Sequence, residues 1–259
     1  DEDEEEYNVR QLKLMSDSQF NAITVAFDRA KKPYTVINHG IFIFNVVDGG
    51  GAHNILKPGD KILEMDDLSD LTGDVIAKYL ADKKEGDTVR LKVEREEKVL
   101  TKEVTLKSVP GVLEKAGIGI SYTENKVVET TPSVEIKSDD IGGPSAGLMF
   151  TLELLNQLLP EDITKGYNIA GTGEMLQDGT VGRIGGIDLK VIAADKKGVD
   201  FMFAPDDDIP EEIVAKNPDL TSNYEEALKT AKKIGTKMKI VPVKTIDDAM
   251  EYLDNLEPK

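Results

Sequence analysis

The hydrophobic periodicity of this chain changes along its length, and the change separates two kinds of structure. Between about residues 39 and 107, apolar and polar residues alternate in short runs such as Gly40–Val47, a period of two that predicts β-strands. Beyond about residue 111, helical and strand patterns alternate. The apolar run Leu148–Leu159, ended by Pro160, predicts a mostly buried helix. We therefore expect an α+β chain, in which a β-rich module precedes an α/β domain.

Three parts are predicted along the chain. Residues 1–37 form an acidic N-terminal segment and a helix over Ser16–Ala30. Residues 38–108 form the β-rich module, with a capping helix near Asp74–Ala81. Residues 109–259 form the second domain. The N-terminal helix is also a candidate part of that second domain, in which case the β-rich module is inserted into it.

The composition excludes several functional classes. A net charge of −17 over 259 residues disfavours binding to nucleic acid or to anionic lipid, because both partners would be repelled. The absence of cysteine removes disulfides, thiolate catalysis and cysteine-based zinc sites. No run approaches the roughly 18 apolar residues of a membrane-spanning helix. The chain begins at Asp1 without a methionine, so its start carries little information about location.

Ser145 is the candidate nucleophile. It lies in Gly143–Gly147, which matches the G-x-S-x-G pattern. Small residues at the head of a buried helix let a substrate approach the backbone, and the free amides and dipole at that end can stabilise a developing oxyanion. From this segment alone, an ordinary helix-capping serine remains an alternative.

A serine nucleophile needs a base, and the sequence restricts the choice. Both histidines, His39 and His53, precede Ser145 and lie within or beside the predicted strands, which excludes the α/β-hydrolase order of residues. Lysine can serve instead when burial keeps a fraction of its amine neutral. Lys190 shares one helical face with three apolar residues, which are Ile187, Val191 and Ala194. The alternative for Lys190 is a side chain that extends along the core edge into solvent.

Three ordered segments together resemble the proteolytic domain of the Lon family: Gly142–Gly147, Gly171–Glu174 and Val181–Lys190. The resemblance covers roughly residues 111–259. It departs from the energy-dependent Lon enzymes at Gly142, where those enzymes usually carry an acidic residue. The chain also lacks a G-x-x-x-x-G-K-[ST] phosphate loop, and we therefore expect no ATP hydrolysis.

The resemblance also implies residue roles. Ser145 would be the nucleophile and Lys190 its base, while Thr172 would hydrogen-bond to the lysine amine and orient it. The supporting loop that holds the oxyanion would contain Gly142, Gly143 and Pro144. Neither a metal nor another cofactor is expected.

The β-rich module resembles a bacterial PDZ domain over about 70 residues, on the turn in Leu56–Ile62, the helix and the two closing strands. A PDZ domain adds an extended peptide to a strand edge beside a helix. Gly40, Ile41 and Phe42 would begin that edge. Alternatively, Gly40 merely permits a turn.

The combined layout resembles the PDZ-containing, membrane-anchored Lon-like proteases of Gram-positive bacteria. That resemblance implies an ATP-independent serine endopeptidase acting outside the cytoplasm on peptides or proteins, with one spanning helix before Asp1. Partners would be the peptide or protein substrate, with no nucleic acid and no nucleotide. Two alternatives are a non-catalytic peptide-binding scaffold and a small-molecule esterase.

Overall fold

The computed structural model describes residues 4–111, 113–138 and 143–259. By its internal contacts the chain divides into two units. The first unit combines the residues up to Gln11 with Thr35–Glu129, and the second combines Leu12–Tyr34 with Thr130–Lys259. Both units mix helices and strands, which confirms the expected α+β class. Across the described ranges, no helix combines the length and the apolar character that a membrane span needs.

The first unit is built on a five-stranded sheet. Its elements in chain order are the start of helix α1 (Glu4–Arg29), β1 (Tyr34–Val46), β2 (Lys61–Met65), α2 (Gly73–Ala81), β3 (Thr88–Arg95), β4 (Lys98–Thr105), β5 (Lys107–Val109), β6 (Leu113–Gly117) and β7 (Ile120–Thr130). The strands of the main sheet lie in the order β4-β3-β2-β1-β7, and β5 pairs with β6. Thr72 caps the start of α2, since its hydroxyl accepts a hydrogen bond from the Val75 amide.

Alternation along β3 sets the face of this sheet that is buried. Val89, Leu91 and Val93 are each fully buried, whereas the residues between them are exposed. They pack in one cluster with Ile76 of α2 and with Ile41 of β1. The alternation predicted from the sequence therefore produces one apolar face of the sheet, and α2 packs on that face.

The expectation that Gly40, Ile41 and Phe42 begin a peptide-binding edge is wrong for this fold. Strand β1 lies between β2 and β7, so both of its sides are already paired, and Ile41 lies opposite Ile62. Gly40 has a φ of +83°, and a Cβ there would lie 2.0 Å from the Ile62 carbonyl oxygen. Glycine at this position therefore allows close strand approach. The terminal strand on this side of the sheet is β7.

A buried ion pair fixes the turn before β2. Asp60, only 1% exposed, accepts hydrogen bonds from the Lys57 amide and from Nε and Nη2 of Arg95, the latter two at 2.6 Å. Arg95 Nη2 also donates to the Ile55 carbonyl. The Pro-Gly-Asp turn of the sequence is therefore tied to the end of β3.

The second unit places helices on both faces of a short parallel sheet. Its remaining elements are a 3₁₀ turn (Pro144–Ala146), α3 (Gly147–Leu158), β8 (Ile169–Gly171), β9 (Glu174–Met175), β10 (Val181–Gly182), α4 (Ile187–Lys196), β11 (Phe201–Pro205), α5 (Glu211–Lys216), α6 (Asn223–Ile234), β12 (Lys239–Val243) and α7 (Ile246–Asp254). The strand order is β12-β11-β8, with parallel pairing on both sides of β11. This arrangement is an α/β layer structure.

Strand β11 sends alternate side chains to two cores. Phe201 and Phe203 enter a cluster with Leu148 of α3 and Ala22 of α1. The intervening residues Met202 and Ala204 enter a second cluster, formed with α4 and α6. The second unit is therefore discontinuous in sequence: the segment Thr35–Glu129, which belongs to the first unit, is inserted between Tyr34 and Thr130.

We predict that Arg95→Met destabilises the chain by about 3 kcal/mol, because the substitution leaves the Asp60 carboxylate buried without its cation. The matched control is Lys92→Met on the same strand, whose ion pair with Glu64 is exposed; its cost should stay below about 0.5 kcal/mol. Urea unfolding followed by circular dichroism measures both. Equal costs for the two variants would contradict the role assigned to Asp60.

Candidate active site and peptide-binding edge

The nucleophile turn, defined as Gly143–Gly147 around the candidate nucleophile Ser145, depends on glycine at two positions. Gly143 is buried with a φ of +73°, and the 3₁₀ turn Pro144–Ala146 leads directly into α3 at Gly147. A Cβ at Gly147 would lie 2.6 Å from the Met175 amide nitrogen. Strand β9 can therefore lie against the turn only because this position is glycine.

Hydrogen bonds from the end of β8 hold the backbone of Ser145. Its carbonyl oxygen accepts from the Gly173 amide at 2.9 Å and from the Thr172 hydroxyl at 3.0 Å. In return, the Leu148 amide donates to the Gly173 carbonyl at 3.0 Å. The first turn of α3 is thus joined to the Thr-Gly-Glu segment that the sequence analysis identified.

The structure brings the two predicted catalytic side chains together. Lys190 Nζ donates to Ser145 Oγ at 3.2 Å, and both residues are half-buried. The neighbours of Lys190 on its helical face, Ile187, Val191 and Ala194, are all buried. The periodicity argument therefore located the amine correctly on α4. At this distance, a neutral amine is able to accept the serine proton.

The segment that leads into α4 is held by a buried amide. Asn223, 1% exposed, accepts from the Ile184 amide at 2.8 Å and donates to the Ile184 carbonyl at 3.1 Å. Its own backbone amide donates to Asp207, which also pairs with Arg183. The start of α4 is therefore anchored to α6. Nothing in the local pattern around residue 223 signalled this, because its partner is 39 residues away.

The predictions for the supporting residues Thr172, Gly142, Gly143 and Pro144 fare differently. The hydrogen bond of Thr172 goes to the Ser145 carbonyl, and its predicted contact with the lysine amine stays a prediction. Gly143 and Pro144 lie in the nucleophile turn. Gly142 lies outside the described residues.

A half-buried carboxyl group follows the segment that holds the nucleophile. Burial raises the pKa of Glu174 above its ordinary value, and the negative charge of Asp17 raises it further. Glu174 is the first residue of β9 and lies opposite Gly182 of β10. The carboxyl group therefore retains its proton to a higher pH than an exposed glutamate.

In the first unit, β7 supplies the sheet edge that β1 lacks. It is the last strand on its side of the described sheet and is entered through Gly117, Ile118 and Gly119. The side chains of Ile120 and Tyr122 pack against the cluster that contains Ile76 of α2. An extended segment added to β7 would therefore run beside α2.

Two family models match parts of the chain. The sequence model of the Lon protease (S16) C-terminal proteolytic domain matches residues 121–254, which is more than half of the chain. The chain therefore belongs to this family. The model of a PDZ domain matches residues 21–106.

Lon proteases are among the curated proteins to which this chain is similar. The chain is 31% identical over 134 residues to the one from Fervidobacterium nodosum, an alignment that covers 52% of this chain and 14% of that protein. It is 33% identical over 117 residues to the one from Mycoplasmopsis agalactiae, covering 42% of this chain and 11% of that protein. The chain thus aligns with a small fraction of these much longer relatives.

Among solved structures, the chain is similar to the PDZ domains of SdrC-like proteins from two Listeria species. The Listeria monocytogenes domain is 27% identical with a TM-score of 0.31, and the match covers 34% of this chain and 92% of that one. The Listeria innocua domain is 30% identical with a TM-score of 0.30, covering 32% of this chain and 92% of that one.

We predict that Asn223→Ala lowers the free energy of unfolding by about 2 kcal/mol or more, because it leaves a buried amide and a buried carbonyl of Ile184 unpaired. Asn255→Ala is the control: this exposed asparagine donates to the Glu251 carbonyl, and its loss should change stability by less than about 0.5 kcal/mol. Guanidinium unfolding midpoints measure both. A near-neutral Asn223→Ala would show that the anchor of α4 lies elsewhere.

Proposed function

We propose that this chain is an ATP-independent serine endopeptidase that uses a Ser145–Lys190 dyad. The observation that carries the proposal is the 3.2 Å approach of Lys190 Nζ to Ser145 Oγ. Membership of the Lon proteolytic-domain family supports the same reaction class. Nucleophile and base within hydrogen-bonding reach form the arrangement that covalent catalysis requires.

In the proposed reaction, Ser145 Oγ attacks the carbonyl carbon of a peptide bond while neutral Lys190 accepts the hydroxyl proton. Backbone amides near Gly143–Ser145 hold the resulting oxyanion. As the tetrahedral intermediate collapses, the carbon–nitrogen bond breaks and the departing amine takes the proton from the Lys190 ammonium. Water then attacks the acyl-enzyme and gives a proton to Lys190. That proton passes to Ser145 Oγ as the acid product leaves.

We propose that the reaction needs no nucleotide. The 259 residues contain no G-x-x-x-x-G-K-[ST] sequence, whose backbone amides and lysine would cradle the phosphates of ATP. Binding energy for an extended substrate would come from the chain itself. The proposal extends to this chain alone, which aligns with a small part of each Lon protease relative.

We further propose that the PDZ domain docks the substrate by strand addition to β7. In support, β7 is the terminal strand of its described sheet and lies against the apolar cluster of α2. Main-chain hydrogen bonds would supply affinity, while the pockets for alternate side chains would supply specificity. Docking raises the effective concentration of substrate at the dyad.

The location of the enzyme is also a proposal. The combination of a PDZ domain with a Lon proteolytic domain resembles the membrane-anchored Lon-like proteases of Gram-positive bacteria. We propose an anchor that precedes Asp1 in the natural protein and a catalytic unit on the outer face of the membrane. Fractionation of cells that express the natural protein, followed by protease shaving, tests this location.

The central test is substitution of the dyad. Ser145→Ala and Lys190→Ala should each lower the cleavage rate by about 10³-fold or more, because the members of a catalytic unit fail together. Lys196→Ala, an exposed residue on the same helix, is the matched control and should cleave normally. Digests of an unbiased peptide library, read by mass spectrometry with and without ATP, measure the rates. Cleavage that survives loss of Ser145, or that requires ATP, would refute the proposal.

The docking proposal predicts where a peptide perturbs the backbone. With Ser145→Ala chain and a peptide chosen from the library substrates, amide NMR shifts should concentrate at 117–123 of the β7 edge and at 73–80 of α2. The amides at 40–43 in β1 are the internal control, since that strand is already paired on both sides. Shifts concentrated at 40–43 would contradict strand addition to β7.

A further inference from the structure

We propose that Ser18 is a positioning residue for catalysis: its hydroxyl orients the backbone amide of Ser145 that binds the oxyanion. This inference rests on the proposed peptidase function. Ser18 lies in α1, outside the residues matched by the Lon proteolytic-domain model and outside those matched by the PDZ model. Neither family match assigns it a role.

Ser18 forms a hydrogen bond with a residue that is far away along the chain. Its Oγ donates to the Pro144 carbonyl at 3.0 Å across 126 residues, and the side chain is only 2% exposed. A serine within a helix usually bonds to a carbonyl one turn earlier on its own helix. Here the hydroxyl reaches the residue that precedes the nucleophile. A Cβ at Gly147 would lie 2.5 Å from this hydroxyl, so the turn packs closely on α1.

The geometry of a peptide bond connects this contact to the oxyanion. The Pro144 carbonyl and the Ser145 N–H belong to one planar, trans unit, in which they point in opposite directions. Holding the carbonyl oxygen therefore sets the direction of the Ser145 amide. The ring of Pro144 fixes its φ, which leaves ψ of Pro144 as the rotation that tilts this plane. The hydrogen bond from Ser18 restrains that rotation.

A second bond supports the same plane. The Gly147 amide also donates to the Pro144 carbonyl. On the following plane, the Ser145 carbonyl is held by Thr172 and Gly173. A carbonyl that accepts hydrogen bonds also makes the amide of its own peptide group a stronger donor. Ser18 thus acts on both the direction and the strength of the Ser145 amide.

Other contacts hold the part of helix α1 that carries Ser18 in place. Two neighbours of Ser18 also hold the same region: Gln19 Nε2 donates to Ser138 Oγ, and Asn21 Nδ2 donates to the Met175 carbonyl at 2.9 Å. Ala22 and Ala26, one and two turns further along the same face of the helix, are fully buried. Positioning groups work best on rigid elements of this kind.

The test is Ser18→Ala with steady-state kinetics on a peptide that the wild-type chain cleaves. Removing a whole oxyanion donor costs roughly 10²–10³ in kcat, so loss of its orientation should lower kcat about tenfold and leave KM within about twofold. Affinity for a peptide boronate, whose tetrahedral adduct places an oxygen in the oxyanion site, should fall by a similar factor. Binding of the uncleaved peptide, measured with the Ser145→Ala background, should not change.

The matched control is Thr24→Val on the same helix. Thr24 is 4% exposed and donates locally to the Asn21 carbonyl, so this near-isosteric change removes a buried hydroxyl without touching the nucleophile turn. It should leave kcat and boronate affinity unchanged. A Ser18→Ala chain with wild-type kcat, or equal kinetic losses in both variants, would overturn the role of Ser18. A wild-type chain that neither cleaves peptides nor binds the boronate would instead refute the peptidase function on which this proposal rests.

Discussion

Hydrogen bonds to the carbonyl oxygen of Ser145 connect two elements of the second unit, helix α3 and strand β8. This oxygen accepts hydrogen bonds from Gly173 and Thr172, which tie the first turn of a buried helix to the end of a strand of the parallel sheet. The strand order of that sheet then determines which helices can lie nearby. These bonds fix the backbone position from which the Ser145 side chain extends. The amine of Lys190 reaches that side chain from another element, α4.

The packing of apolar side chains on α4 places Lys190 near Ser145. The face of α4 that carries Lys190 is also the face that packs on α6 and β11, so the same apolar residues that stabilise the unit aim the amine. Asn223 then fixes where α4 starts by pairing with the backbone of Ile184. Contacts that stabilise this unit therefore also position the two side chains that the proposed reaction uses.

Local patterns in the sequence predicted the local part of this structure. Period two predicted the strands of the first unit, and period 3.6 located Lys190 on the apolar side of α4. The peptide-binding edge was wrongly predicted at Gly40–Phe42, because strand order depends on the pairing of β1 with the distant β7. Ser18 and Asn223 were missed for the same physical reason. Each acts on a residue far along the chain, and no short motif records such a contact.

The insertion between Tyr34 and Thr130 has a consequence for biosynthesis. Ser18 leaves the ribosome long before Ser145 and Lys190, and the inserted segment Thr35–Glu129 emerges between them. Domains generally fold as units while synthesis proceeds. The inserted segment is therefore able to fold before the elements that pack against α1, such as α3 and β11, have been translated. The proposed dyad is therefore complete only once translation has passed Lys190, after both α1 and the insertion have been made.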